Sequence, residues 1–369
     1  MKAVVTGGAG FIGCNLAADL AERGHSVTVF DNLSRRGSKE NWAWLKKTHP
    51  RVQLVKGDVR RQGKALDGAF RDAEAIYHLA GQVAVTTSVE KPCEDFESNA
   101  LGTFNVLEAA RRMRGNPAFI YSSTNKVYGG MENVKVVKKE KRYAYRDYPN
   151  GIPESMTLDF HSPYGCSKGC ADQYVRDYHR IYGVKSVVFR QSAIYGEHQM
   201  GVEDQGWVAW FTIATLLGKK ITIYGDGKQV RDVLYVGDLV EAFNVATRKI
   251  WKAKGKIYNV GGGPKNTLSL LELLDLLEKK LGKRIPRTYS KWRPGDQPVY
   301  VSDVQKISRE LGWKPHTSVR QGVDRLVEWV SANEKQFERM YPPKKGATQG
   351  MLHGKANVYA NREIRKGGR

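Results

Sequence analysis

Tyr164 and Lys168 stand four residues apart in the stretch His161-Ser-Pro-Tyr-Gly-Cys-Ser-Lys-Gly169. Pro163 suits the first turn of a helix, and the run Ala171-Asp-Gln-Tyr-Val-Arg-Asp-Tyr-His-Arg180 continues it. On such a helix the two side chains share a face, about 6 Å apart along the axis. A phenol ionises near pKa ~10, too high for a base at neutral pH, and a neighbouring ammonium would lower that value. Tyr164 could then take a proton from a hydroxyl while Lys168 holds the charge in place. The spacing alone recurs by chance on helix surfaces, so the upstream chain has to supply the context.

It does so at the start. Lys2–Thr6 reads as a buried strand, followed by Gly7-Gly-Ala-Gly-Phe-Ile-Gly13 and an amphipathic helix to about Arg23. Glycines at 7, 10 and 13 let the backbone turn tightly and approach a pyrophosphate, and the helix N-terminus adds amide donors and positive dipole. The strand Ser26–Phe30 ends at Asp31, spaced to meet a ribose 2′-hydroxyl and to repel a 2′-phosphate. That favours NAD over NADP, although Arg35 and Arg36 follow closely.

The remaining elements have to place these groups together. Val52–Val55 is the third expected strand, with Asp58 behind it as an acceptor for an adenine amino group or a turn cap. Ala75–Ala80 is the fourth, with Gly81-Gln82 opening the loop at its carboxyl end. Asn99–Arg112 reads as helix, and Ala118–Tyr121 as a fifth strand running into Ser122-Ser-Thr-Asn-Lys-Val-Tyr-Gly129. Val184–Phe189 is the sixth, followed by Arg190-Gln191. This alternation predicts a doubly wound parallel sheet, whose ligands bind at the carboxyl ends of the strands.

Between these strands, residues 130–162 have no clear period, and either a lid over a substrate or a surface insertion is expected there. Beyond 196 the alternation becomes irregular. The aromatic run Trp207–Phe211 is read as core, Leu268–Leu281 and Val319–Trp329 as amphipathic helices with Trp329 in the core, and Arg293–Gln297 as an exposed turn.

Composition bounds the alternatives. At 369 residues the chain can hold two packed units, and no apolar run is long enough for a membrane span. Met1 leads straight into the first strand, which leaves no room for a signal peptide. Cys14, Cys93, Cys166 and Cys170 have no metal-ligand spacing, so no metal is expected, and Cys166 and Cys170 read as small helix-packing residues in a reducing cytoplasm. The net charge of +22 raises a nucleic-acid reading. Seven Lys/Arg against one Glu in residues 342–369, a basic tail expected to be flexible, account for +6 of it. The rest is spread without a basic block or RNA-binding aromatic motif. An NAD- or RNA-binding protein without catalysis is the different-class alternative.

Together, Gly7-x-x-Gly-x-x-Gly13, the Ser-Ser-Thr124 loop and Tyr164-x-x-x-Lys168 resemble the extended short-chain dehydrogenase/reductase family over residues 1 to about 330. The resemblance implies a Rossmann-type NAD-binding domain of 1–189 (with 230–262 returning to it) and a smaller C-terminal α/β substrate domain of 190–229 and 263–335. Asp31-Asn-Leu-Ser-Arg-Arg-Gly37, Ala80–Ser88, Asp204-Gln-Gly-Trp207 and Gly227–Asp232 narrow it to nucleotide-sugar epimerases acting at carbon 2. The activity so implied converts CDP-paratose to CDP-tyvelose, or an NDP-glucose to NDP-mannose, through a 2-keto sugar on tightly held, recycled NAD.

By the same resemblance Thr124, Tyr164 and Lys168 are catalytic. Gly7, Gly10, Phe11, Ile12, Gly13, Asp31, Asn32, Ser34, Arg35, Asp58, Val59, Leu79, Ala80, Gln82, Asn99 and Ser122 join Tyr164 and Lys168 around the cofactor. Gln82, Thr124, Asn125, Gln191, Arg231, Arg293 and Gln297 hold the sugar nucleotide, the arginines on the diphosphate. A homodimer or homotetramer in the cytoplasm is implied as well. The family's 4,6-dehydratases carry Thr-Asp-Glu where this chain has Thr124-Asn125-Lys126, and losing both carboxyls removes the acid and base that elimination needs. Inversion at carbon 4 is the remaining alternative within the family.

Overall fold

The computed structural model describes residues 1–293 and 296–342. Seven parallel strands form the main sheet in the spatial order Lys256–Val260, Lys185–Gln191, Ala118–Thr124, Ala75–His78, Lys2–Thr6, Ser26–Asp31, Gln53–Lys56. The sequence order reverses between Lys2–Thr6 and Ala75–His78, so the connections leave on opposite faces and a crevice opens at the carboxyl ends. The strands are near-continuous apolar runs because helices cover both faces. One face carries Leu16, Leu20, Leu239 and Phe243, the other Val106, Leu107, Val175 and Tyr178.

The expected strands exist, with edges moved by a residue or a few. The fourth stops at His78, the fifth and sixth run on to Thr124 and Gln191, and Thr124 pairs with Gln191. The helix expected from Leu268 starts at Leu270, because Thr267–Ser269 is a short strand and Ser269 makes a capping box with Glu272. The last amphipathic helix runs on to Ala332, and Trp329 is only partly buried, against His198 and Phe337.

Outside the main sheet, Val230–Tyr235 lies in a smaller sheet between Thr267–Ser269 and Val299–Tyr300, with Ala193–Tyr195 beside its end. Ile221–Tyr224 pairs with Arg287–Ser290. A third apolar cluster, including Phe211, Ile223, Leu274 and Leu326, holds these elements together.

Residues 130–162 are not a lid. They contain the hairpin of Val136–Lys138 and Tyr143–Tyr145, and none of them lines the main cavity. Met131, Val134 and Ile152 are buried with Tyr128 and Tyr300, and Ile152 exchanges backbone bonds with Val301 and Asp303 at 2.7 and 2.9 Å. Apolar anchors without helical or strand period were invisible to a periodicity argument. The Cys166 reading is also corrected: it is exposed and Cys170 half-buried, because the helix turns its Tyr164/Lys168 face inward. Part of the Arg293–Gln297 turn and residues 343–369 lie outside the described residues, and Gln297 is buried rather than exposed.

Candidate active site

Helix Ser162–Tyr182 is fixed at its start before it can present anything. Pro163 occupies its first turn, and Ser162 takes a left-handed φ of 68° while its Oγ accepts the Gly165 amide. Ser88 Oγ accepts the Tyr164 amide at 3.1 Å, and Ser167 donates to Asp95 at 2.5 Å. These bonds seat Tyr164 and Lys168 against the end of strand Ala118–Thr124.

There Tyr164 and Thr124 line the same cleft, with Thr124 near enough to favour the ionised phenol. Lys168 Nζ donates to the Ser122 carbonyl at 2.6 Å and lies 4.4 Å over the Tyr121 ring. The electrostatics depart from the expectation. Burial raises the Tyr164 phenol above its usual value, and neighbouring Thr124 and Arg35 offset this only in part. Burial likewise disfavours the charged form of Lys168 and pushes its ammonium down to about 7.

Both residues line one cleft of about 1270 Å³ that runs from the glycine turn to Tyr224 and Arg293. The turn fits a dinucleotide. A Cβ on Gly13 would sit 2.2 Å from the Gly7 carbonyl oxygen, and one on Gly7 2.7 Å from the Ala80 amide nitrogen. No side chain caps the helix that starts at Phe11, and Gly10, Phe11, Ile12 and Gly13 face the cleft. Asp31 accepts the amides of Ala9 and Leu33 at 3.0 and 2.7 Å, which holds its carboxylate at the strand end. Asp58 caps its turn through the Arg60 amide, pairs with the Arg60 guanidinium, and is lowered to about 2 by that pairing. Asn32 bonds Asp58 at 3.1 Å and takes the Ser34 amide and hydroxyl on its own oxygen. Arg35 reaches across to Gln205 at 2.9 Å.

Val59, Leu79, Ala80, Gln82, Ser122, Thr124, Asn125, Gln191, Arg231 and Arg293 also line this cleft. Two expected residues do not. Asn99 is buried, bonded to Asp95 and Ser167, and accepts the Gln82 amide, so it holds the Gln82 loop from behind. Gln297 donates to the Gly129 carbonyl and is 2% exposed, which makes it packing rather than lining. Arg293 pairs with Asp204 at 2.9 Å and lies 3.8 Å over the Tyr224 ring.

The aromatic run is divided. Phe211 is core and also borders the cleft, whereas Trp207 lines it with Nε1 unbonded among the described residues. Sequence reasoning missed His198, Gln199, Gln229 and Tyr224 as lining, because the irregular C-terminal half carries no motif there. Lys126 was noted only as a departure from the dehydratases. Its place beside Thr124 was the available signal.

Comparison with known proteins agrees with this geometry. The GDP-mannose 4,6 dehydratase family model matches residues 4–326. The chain is 46% identical over 338 residues to the CDP-paratose 2-epimerase of Salmonella typhi, covering 90% of this chain and 100% of that one. A UDP-glucose 4-epimerase from Thermotoga maritima, solved with UDP-glucose, superposes with a TM-score of 0.77 at 31% identity, over 90% of this chain and 100% of its own. A UDP-glucuronic acid 4-epimerase from Bacillus cereus, solved with UDP-glucuronic acid and NAD, gives 0.77 at 26%, over 90% and 99%.

Proposed function

This chain belongs to the GDP-mannose 4,6-dehydratase family, and from that premise we propose that it inverts carbon 2 of a nucleoside-diphosphate hexose. The substrate is CDP-paratose, giving CDP-tyvelose, or an NDP-glucose, giving NDP-mannose. The observation that carries this reading is that Thr124, Tyr164 and Lys168 line the cleft that joins the glycine turn to Arg231 and Arg293. The 46% identity to a carbon 2 epimerase, against 33% to a putative UDP-glucose 4-epimerase over the same share of the chain, supports carbon 2.

The glycine turn and Asp31 would hold NAD, which would supply a reversible hydride acceptor. Tyr164 removes the carbon 2 hydroxyl proton and later returns it, while Thr124 orients the same oxygen. Lys168 is anchored on the Ser122 carbonyl beside the site. The 2-keto sugar turns its other face between the two steps, so the sugar has to be held from its nucleotide end, by Arg231 and Arg293.

In this reading residues 1–189 with 230–262 bind the cofactor, and 190–229 with 263–335 bind the sugar nucleotide. Support comes from Lys256–Val260, which adds to the main sheet, and from helix Val236–Arg248, which packs on it. A second copy of the chain is the proposed partner, docked on Val89, Phe96, Leu101 and Tyr174, an exposed apolar face of the helices around 85–111 and 162–182. We place the enzyme in the cytoplasm, where four unpaired cysteines stay reduced.

Product analysis tests the reaction. Purified protein, with no added cofactor, is incubated with CDP-paratose and with CDP-, GDP- and UDP-glucose, and the released sugars are identified. Tyvelose or mannose is the expected product. Galactose would move the enzyme to carbon 4, and an unchanged sugar would overturn the assignment.

A further inference from the structure

Lys126 is the second residue after Thr124, in the tight turn Asn125–Tyr128, and its amide donates to Thr124 Oγ1 at 3.2 Å. Its side chain lines the cleft, and among the described residues its ammonium bonds no protein acceptor. Arg231 borders the same space from strand Val230–Tyr235. One of its nitrogens is spent on the Val230 carbonyl at 2.8 Å, and the other stands 3.8 Å from Asp296, a loose pair. Gln191, directly across from Thr124, is 6% exposed, lines the same cleft and carries an Nε2 with no partner among the described residues.

Two cations thus line one part of the cleft, with the loosely paired Asp296 carboxylate near them. Burial and the Arg231 charge push Lys126 down to about 8. Like charges are held together at such a cost where an anion is meant to join them.

We propose that Lys126, with Arg231 and the Gln191 amide, seats the phosphate nearest the sugar, and so brings the phosphate-bearing end of the ring to Thr124 and Tyr164. This rests on the carbon 2 reading above. Carbon 2 is bonded to the anomeric carbon, whose oxygen carries that phosphate, so the reacting hydroxyl and the phosphate lie on adjacent carbons. A cation two residues from Thr124 suits that arrangement. For a reaction at carbon 4 the phosphate would sit across the ring, and a cation there would serve no charge.

The test uses the full chain as purified. Whichever of CDP, UDP and GDP binds the wild type most tightly is titrated calorimetrically beside its own monophosphate. Lys126→Met should weaken the diphosphate by about tenfold or more, the scale of a charge-assisted contact, and leave the monophosphate unchanged. Lys126→Arg should keep most of the diphosphate affinity. An unchanged diphosphate-to-monophosphate ratio in Lys126→Met, or equal loss of both ligands, would overturn the proposal. Lost turnover with intact diphosphate affinity would overturn it too, by making Lys126 a proton-transfer group. A wild type that discriminates through Lys126 yet turns over no nucleotide sugar would leave the phosphate seat standing and remove the epimerase reading.

Discussion

Asp172 and Arg190 form a bidentate ion pair behind the active site, at 2.9 and 3.0 Å, with both side chains all but sealed from water. Asp172 also accepts the Ser123 hydroxyl at 2.7 Å, so one carboxylate ties the Tyr164 helix to the strands that end in Thr124 and Gln191. Removing one partner of a buried pair strands the other charge. Asp172→Ala should therefore cost about 3–5 kcal/mol in urea unfolding and reduce turnover by displacing the helix.

Tyr164 is the proposed proton acceptor, and it lines the cleft beside Thr124. Tyr164→Phe should lower kcat by about 10²–10⁴-fold while the protein still carries its dinucleotide, read from the absorbance of the purified enzyme. Near-wild-type turnover would remove Tyr164 from the mechanism.

Gly13 has no room for a side chain, its Cβ position being 2.2 Å from the Gly7 carbonyl oxygen. Gly13→Ala should cost about 1–3 kcal/mol and release the dinucleotide on gel filtration, because the turn has to open. Retention of stoichiometric NAD would show that the pyrophosphate does not rest there.

His78 is buried in the fourth strand between Thr6 and Thr103, at 2.7 and 2.9 Å. Burial lowers it from 6.5 to about 3. The unfolded chain takes up the proton first as pH falls, so this contribution is complete above about 6.5 and is lost between about 6.5 and 3. Up to about 5 kcal/mol is at stake over that window. His78→Gln, neutral throughout, should flatten the acid limb of a stability–pH curve relative to wild type.

Phe96 and Tyr174 stand exposed on the face proposed to meet a second copy. Phe96→Glu should shift the sedimentation coefficient from dimer or tetramer to monomer, with little change in the unfolding midpoint of the monomer. A wild type that sediments as a monomer would remove the proposed interface.

The sequence by itself determined the sheet, its glycine turn and the nearness of Thr124, Tyr164 and Lys168, which line one cleft. Each signal is local: glycines where the backbone must turn, apolar runs where strands are covered on both faces, and a four-residue spacing that any helix converts into a shared face. Tertiary structure alone decided where residues far apart in sequence came to rest. Gln297 and Asn99 had the right types for binding, yet packing turned one onto Gly129 and the other behind the Gln82 loop. Residues 130–162, without a period, proved to be a buttress anchored by Ile152. The charge state of the Tyr164–Lys168 pair was equally out of reach. Helix spacing gives their proximity, but desolvation depends on everything packed around them, and here it raises the phenol and lowers the ammonium.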